Sequence, residues 1–179
     1  MGALLRSDFE REPIMVPADT KNVALGKPVR MSVDFSIIGG PAKVTDGEKA
    51  GGPGHFLEME PGLQWIQIDL KKPHRIYAIA LWHYYLDVRI YQDVIIRVSN
   101  DAQFEGGYAT VFNNDHDDSA GFGKGGDFEY VESYHGRVIE VDGVKGRYVR
   151  CYTNGNSVNQ QNHYIEVEVY GVPVEAEGR

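Results

Sequence analysis

The sequence predicts an all-β fold: a jelly-roll β-sandwich of about eight antiparallel strands. Apolar and polar residues alternate over several short stretches, and no stretch of roughly ten or more residues has a helical period. The composition agrees, since 21 glycines and 11 tyrosines among 179 residues are typical of a protein with many turns and half-buried aromatic side chains.

The predicted strands follow one another along the chain, separated by turn signals. Residues 65–70 alternate so that isoleucine and leucine side chains share one face. Residues 75–82 are more continuously apolar, as in a central strand of a sandwich. The remaining predicted strands are 93–99, 109–112, 137–141, 147–153 and 164–170. Two segments, 38–63 and 113–134, are too long for simple hairpins, and we expect function there.

The length of the chain indicates one domain, and its charge limits the classes of partner that it can bind. We expect a lead-in segment at 1–20, a sandwich domain at 21–172 and a tail at 173–179. A net charge of −8 argues against nucleic acid as a ligand. The single cysteine, Cys151, allows no intrachain disulfide, and no apolar run is long enough to span a membrane. We expect no signal peptide in this chain, because its apolar start is too short.

Four stretches in this order carry a family resemblance: 22–29, 44–47, 65–70 and 165–171. Together they resemble the discoidin (coagulation factor five/eight type C) domain, and in character the family 32 carbohydrate-binding modules. The resemblance covers residues 22–171. It implies a jelly-roll sandwich with a galactose-binding-domain-like fold, a binding site in loops at one end and a structural calcium ion. It also implies an extracytoplasmic or secreted setting, as part of a larger protein.

The resemblance assigns a Ca²⁺ site to the Asp-Gly turn and the last strand. Asp46 and Glu166 match the two carboxylates, and backbone carbonyls of Val44, Glu48 and Ile165 complete the set. Hard cations prefer six to eight such oxygen ligands. The chain departs from the family after Asp46-Gly47, where residues 49–54 lack the usual Ser or Thr hydroxyl. The alternative is that Asp46 caps a turn and Glu166 faces solvent.

A glycan site is expected in the segment 82–91, which combines aromatic, cationic and imidazole side chains. Aromatic faces pack against the apolar side of a sugar ring, while charged and polar groups bind its hydroxyls. In the resembled modules this loop carries binding residues. The candidates are therefore His83, Tyr84, Tyr85 and Arg89, whereas Trp82 is expected in the core.

A second polar loop, 112–118, can add Asn113, Asn114 and His116 to the same pocket. Its carboxylates, Asp115, Asp117 and Asp118, can instead hold a second cation. The third possibility is a solvated acidic loop whose side chains serve local turns. An amide-rich segment, 154–163, is a weaker candidate for sugar binding.

The sequence favours a non-catalytic, lectin-like carbohydrate-binding module with a glycan as partner. Its alternative is a discoidin-type protein adhesion domain that binds through the tyrosine-rich loop. A metal-dependent glycan-processing enzyme using His116 and Asp117 is less favoured, because no catalytic motif supports it. Residues 121–126 match GxGxxG, but no strand–helix context surrounds them. No membrane insertion is expected, since the protein is acidic and the predicted loop tips consist of Tyr, His, Asn and Asp.

Overall fold

The computed structural model describes residues 13–175, which form nine β-strands and one short 3-10 helix. The predicted lead-in segment therefore lies outside the described residues up to residue 12, and the predicted tail does so from residue 176. The elements are β1 Lys21–Asn22, β2 Val29–Met31, the 3-10 helix Pro41–Thr45, β3 Leu57–Met59, β4 Gln64–Trp82, β5 Ile95–Ser99, β6 Tyr108–Asn113, β7 Arg137–Thr153, β8 Asn162–Tyr164 and β9 Glu166–Pro173. The all-β prediction is confirmed.

Two long strands, β4 and β7, connect the two layers of the sandwich. Residues 64–69 of β4 pair with β2 and with 148–153 of β7, whereas residues 74–82 pair with β9 and with 137–146 of β7. Between these halves the register shifts at a corner that contains Lys71, with a φ of 71°, and Pro73. β5 and β6 extend the first layer, and β1 extends the second.

The two layers bury a common core between them. Ile66 and Ile68 from the first half of β4 lie in one apolar cluster with Ile79 and Leu81 from its second half. The predicted alternation of 65–70 is confirmed, because Ile66, Ile68 and Leu70 are at most 1% exposed. Cys151 belongs to the same core, and burial raises the pKa of its thiol to about 12, which leaves it protonated and unreactive.

Several predicted boundaries differ from the structure for one physical reason. The stretches predicted as separate strands at 65–70 and 75–82 form the single strand β4, and those at 137–141 and 147–153 form the single strand β7. Turn signals bend these strands at the corner, yet pairing continues on both sides of it. The short strands β2, β3 and β8 were not predicted, since three residues carry too little alternation to be recognised.

The long loops meet at one end of the sandwich, which we call the loop end. Both ends of β4 lie there. The strand runs from the loop end to the corner in the first layer, crosses at the corner, and returns to the loop end in the second layer. Three contacts join the loops: His83 with Glu132, Tyr91 with Asn156, and the Asn162 amide with the Glu60 carbonyl. None of the helices among residues 13–175 is long and apolar enough to cross a membrane.

Candidate functional site

A charged fork forms the centre of the loop end. The Arg89 guanidinium donates from Nε and Nη2 to the two carboxylate oxygens of Asp87, at 2.6 Å each. Arg89 is only 5% exposed, whereas Asp87 is exposed. The hydrogen bonds from Arg89 lower the pKa of Asp87. The guanidinium carbon also lies 4.7 Å from the centre of the Tyr84 ring, so the fork is held in one orientation on an aromatic face.

An imidazole links this fork to β3. His163 Nδ1 accepts from the Tyr91 hydroxyl at 2.8 Å, and Nε2 donates to Glu58 Oε2 at 3.1 Å. The pairing of β3 with β8 produces this contact, because Glu58 lies opposite His163 in the register. Burial, followed by the charge of Arg89, lowers the pKa of His163 to about 4, so the ring is neutral at neutral pH. Burial also raises the pKa of Glu58.

Aromatic rings surround these polar groups. Phe56 meets the Tyr84 ring edge-on at 5.1 Å, and His163 lies within 6.0 Å of both. Phe56, Glu58 and Tyr84 are half-buried, so they reach the surface. We call the six side chains the loop-end cluster: Phe56, Glu58, Tyr84, Asp87, Arg89 and His163. The cluster presents hydrogen-bond donors, acceptors and ring faces on a shallow surface, the combination that a sugar requires.

His83 does not belong to this surface, which corrects the sequence prediction for it. Its side chain is 0% exposed, its Nδ1 lies 2.7 Å from Glu132 Oε1, and its ring stacks on Tyr91 at 4.3 Å. A side chain without exposed surface cannot contact a ligand, so His83 supports the loop from beneath. Tyr85 is half-buried, and its hydroxyl donates to the Lys49 carbonyl at 2.6 Å, on the side of the Asp-Gly turn.

The second predicted group, Asn113, Asn114 and His116, closes its own loop. Asn113 Nδ2 donates to the Gly123 carbonyl, and His116 Nε2 donates to the Asp127 carbonyl. Asn114 is 3% exposed and its Oδ1 accepts from the backbone amide of Val94, just before β5, so its side-chain oxygen serves to close the loop. Of the three, His116 is the exposed one.

The acidic loop brings together Asp93, Asp115 and Asp117, whose oxygens lie within 4.8 Å of one another. Asp118, which the sequence grouped with them, instead accepts from the Gly123 amide. Loop donors already serve these carboxylates, since both oxygens of Asp115 accept backbone N–H groups and Asp93 accepts from the Ser119 hydroxyl. These hydrogen bonds hold the acidic loop in its conformation.

The loop tips are more apolar than the sequence interpretation assumed. Leu86 and Val88, next to Asp87, are 53% and 81% exposed, and Phe35 in the loop after β2 and Phe128 in the loop after β6 are 85% and 84% exposed. These exposed apolar side chains are compatible with a partner that has an apolar surface. The sequence analysis had assumed polar loop tips, and that assumption is wrong. The net charge of −8 still disfavours an anionic membrane.

The predicted calcium carboxylates are held close together. Glu166 is 0% exposed, its Oε2 accepts from the Gly47 amide at 3.1 Å, and its Oε1 has no hydrogen-bond partner among residues 13–175. Burial, followed by the charges of Asp46 and Glu168, raises the pKa of Glu166 to about 8. The reading in which Glu166 faces solvent is wrong, although Asp46 does cap its turn by accepting from the Glu48 amide. A buried carboxylate oxygen without a donor, under the electrostatic influence of a second carboxylate, fits a cation.

Sequence reasoning missed four contributors: Phe56, Glu58, Asp87 and His163. Leu57, Glu58 and Met59 alternate buried, half-buried and buried, which is a strand signal too short to stand out. His163 ends the amide-rich segment, and only the pairing of β3 with β8 reveals its role.

Comparisons with known proteins identify the fold. No family model and no curated protein matches the chain. Among solved structures it is similar to the CBM32 of AlyQ in complex with 4,5-unsaturated mannuronic acid, with 18% identity, a TM-score of 0.57, and coverage of 79% of this chain and 92% of that one.

Two further structures match as well. One is the chitosan-binding module 1 derived from a chitosanase/glucanase of Paenibacillus sp. IK-5, with 20% identity, a TM-score of 0.59, and coverage of 84% and 99%. The other is an F-lectin (fucolectin) from the serum of striped bass, Morone saxatilis, with 22% identity, a TM-score of 0.62, and coverage of 89% of this chain and 52% of that one.

Proposed function

The chain has the discoidin-like, galactose-binding-domain-like β-sandwich fold, and from it we propose that the protein is a non-catalytic carbohydrate-binding module. The observation that carries the proposal is the loop-end cluster, in which the Arg89–Asp87 fork and the Glu58–His163 pair adjoin the rings of Tyr84 and Phe56. The names of the three similar structures describe saccharide binding by those proteins. In this chain the cluster supplies the matching chemistry.

The charges of the cluster favour a neutral glycan. One cation, Arg89, is accompanied by Asp87 at 2.6 Å, and Glu58 adds a second acidic group. An anionic sugar would meet these two carboxyl groups, whereas hydroxyls can donate to them and accept from the guanidinium. Because a shallow site buries little surface, we expect a dissociation constant of roughly 0.1–1 mM for a monosaccharide.

A structural calcium ion is part of this proposal. Asp46 and Glu166 would hold the ion together with the carbonyls of Val44, Glu48 and Ile165. The support is the Glu166 Oε1 atom, which is buried without a hydrogen bond. When bound, a divalent cation neutralises the two carboxylates and fastens the Asp-Gly turn to β9.

A glycan array, run with and without a calcium chelator, tests the function. We compare the native chain with Arg89→Lys, which keeps the charge but loses the fork, and with Arg75→Lys as the control at an exposed position of β4. We expect glycan signals for the native chain and the control, and a loss of about tenfold in Arg89→Lys. An Arg89→Lys profile equal to the native one would overturn the site assignment.

A protein partner is the second candidate, and the exposed Leu86 and Val88 favour it. Silence of the native chain on the array would shift the proposal to this adhesion function. We expect no turnover of chromogenic glycosides by the isolated chain, consistent with a binding module working within or beside a larger extracytoplasmic protein.

A further inference from the structure

A second concave site lies at the opposite end of the sandwich from the loop-end cluster. It is a cavity of about 330 Å³ between β1, the turn that follows β1, the corner of β4 and the last residue of β9. Its walls include the apolar side chains of Val23, Leu25 and Leu70. We call it the corner cavity; its other lining residues are Lys21, Asn22, Lys27, Lys71, Lys72, His74 and Pro173.

Lysines are concentrated in this cavity. Four of the eight lysines of the chain line it, although the protein carries a net charge of −8. Lys71 pairs with Asp69 at 3.4 Å, and that carboxylate is already held by both nitrogens of the Arg147 fork. Lys21, Lys27 and Lys72 have no acidic side chain at ion-pair distance within residues 13–175.

The charges of Lys21, Lys27 and Lys72 all influence the same side chain, that of His74. Its ring is 3% exposed, and its Nδ1 donates to the Lys72 carbonyl at 2.8 Å. Burial lowers the pKa of His74, and the charges of Lys72, Lys27 and Lys21 lower it further. The three cations therefore produce a positive potential that converges on the same wall of the cavity.

We propose that the corner cavity binds an acidic saccharide unit through its sulfate or carboxylate group. Lys21, Lys27 and Lys72, which have no ion-pair partner within residues 13–175, provide the counter-charge, and the exposed Leu25 side chain offers an apolar contact to the sugar ring that carries the acidic group. The volume is at the lower end of small-ligand pockets, which suits a single sugar ring. Lysine is a point charge without the planar fork of arginine, so the cavity selects for charge more than for orientation.

This site is separate from the proposed neutral-glycan site. Because the rest of the protein is acidic, an anion is repelled elsewhere and attracted locally. The two sites together would let one module hold a polysaccharide that carries both neutral and acidic units.

The test uses glucose 6-sulfate, glucose and inorganic sulfate as probes, with binding followed by the NMR signals of the His74 ring. The double variant Lys27→Gln/Lys72→Gln is compared with Lys124→Gln/Lys145→Gln, which removes the same charge from exposed positions outside the corner cavity. We expect glucose 6-sulfate to shift the His74 signals and to bind about tenfold more weakly to the cavity variant. The control variant should change by less than about twofold.

Three outcomes would overturn the proposal. If glucose 6-sulfate bound equally weakly to the control variant, the net charge of the protein would explain the effect. If inorganic sulfate bound as tightly as glucose 6-sulfate, the sugar ring would not contribute to binding. If glucose bound as tightly as glucose 6-sulfate, the lysines would not contribute. Arg89→Lys should leave this binding unchanged, so failure here is distinguishable from failure of the loop-end site.

Discussion

The buried contact between His83 and Glu132 gives a quantitative test of how the loop end is built. Both side chains are at most 1% exposed, and they meet at 2.7 Å. Glu132 also donates its backbone N–H to the Arg89 carbonyl at 2.9 Å. One residue thus fastens the end of β4 and the segment that carries the Arg89 fork. We therefore consider His83→Phe, Glu132→Leu and the double variant.

The structure sets the expected magnitudes. In His83→Phe the Glu132 carboxyl group remains buried and loses its partner, while its Oε2 already has none among residues 13–175. Breaking such a buried pair costs about 3–5 kcal/mol. In a domain of this size each kcal/mol lowers the melting temperature by about 2–4 °C, so we expect a decrease of roughly 6–20 °C. The double variant removes both polar groups and should recover a large part of this loss, giving a coupling energy of about 2–3 kcal/mol.

Urea and thermal denaturation followed by circular dichroism measure these differences, with Glu129→Gln as an exposed control. Glycan binding is then measured on whichever variants remain folded. A double variant that is folded should retain binding, because neither side chain reaches the surface. A His83→Phe variant with native stability and no glycan binding would refute the reasoning and restore His83 as a ligand contact.

Three further predictions concern other parts of the fold. Gly136→Ala should lower the free energy of unfolding by about 2 kcal/mol or more, measured by urea denaturation, because φ is +65° and a Cβ would collide with the Trp82 indole. Arg147 lowers the pKa of Asp69 to about 2, so this ion pair stabilises the protein above the ordinary value of 3.8 and is lost as pH falls from there towards 2. Asp69→Asn should accordingly cost about 1 kcal/mol at pH 6, and this cost should shrink to a small fraction as pH falls to 2 in denaturation titrations; a constant difference would contradict this. Calcium at about one hundred times its dissociation constant should stabilise the native chain by about 2.7 kcal/mol but not Glu166→Gln, and a melting temperature that ignores chelator would count against the site.

The fold class followed from local pattern, whereas the strand boundaries did not. Alternation in 65–70 fixes which side chains enter the core, since a strand places neighbours on opposite faces. The continuity of β4 through Lys71 and Pro73 depends on pairing with β7 on both sides of the corner. Turn signals are local, and they cannot tell a bend from a strand end.

In the candidate site, too, some residues could be predicted from the sequence and others could not. Arg89 and Tyr84 were predicted from the composition of their loop, since aromatic and cationic groups suit sugars, and from the family resemblance. His83 has the same chemistry in the same loop, and only burial against Glu132 removes it from the surface.

By itself, the sequence determined that this protein is an antiparallel β-sandwich, because periodicity and turn chemistry are local properties. The tertiary structure decided which loop residues share a surface. Glu58 and His163 are 105 positions apart in the chain and meet through the register of β3 with β8. Such contacts depend on how distant strands pair, and that pairing has no local signature in the chain.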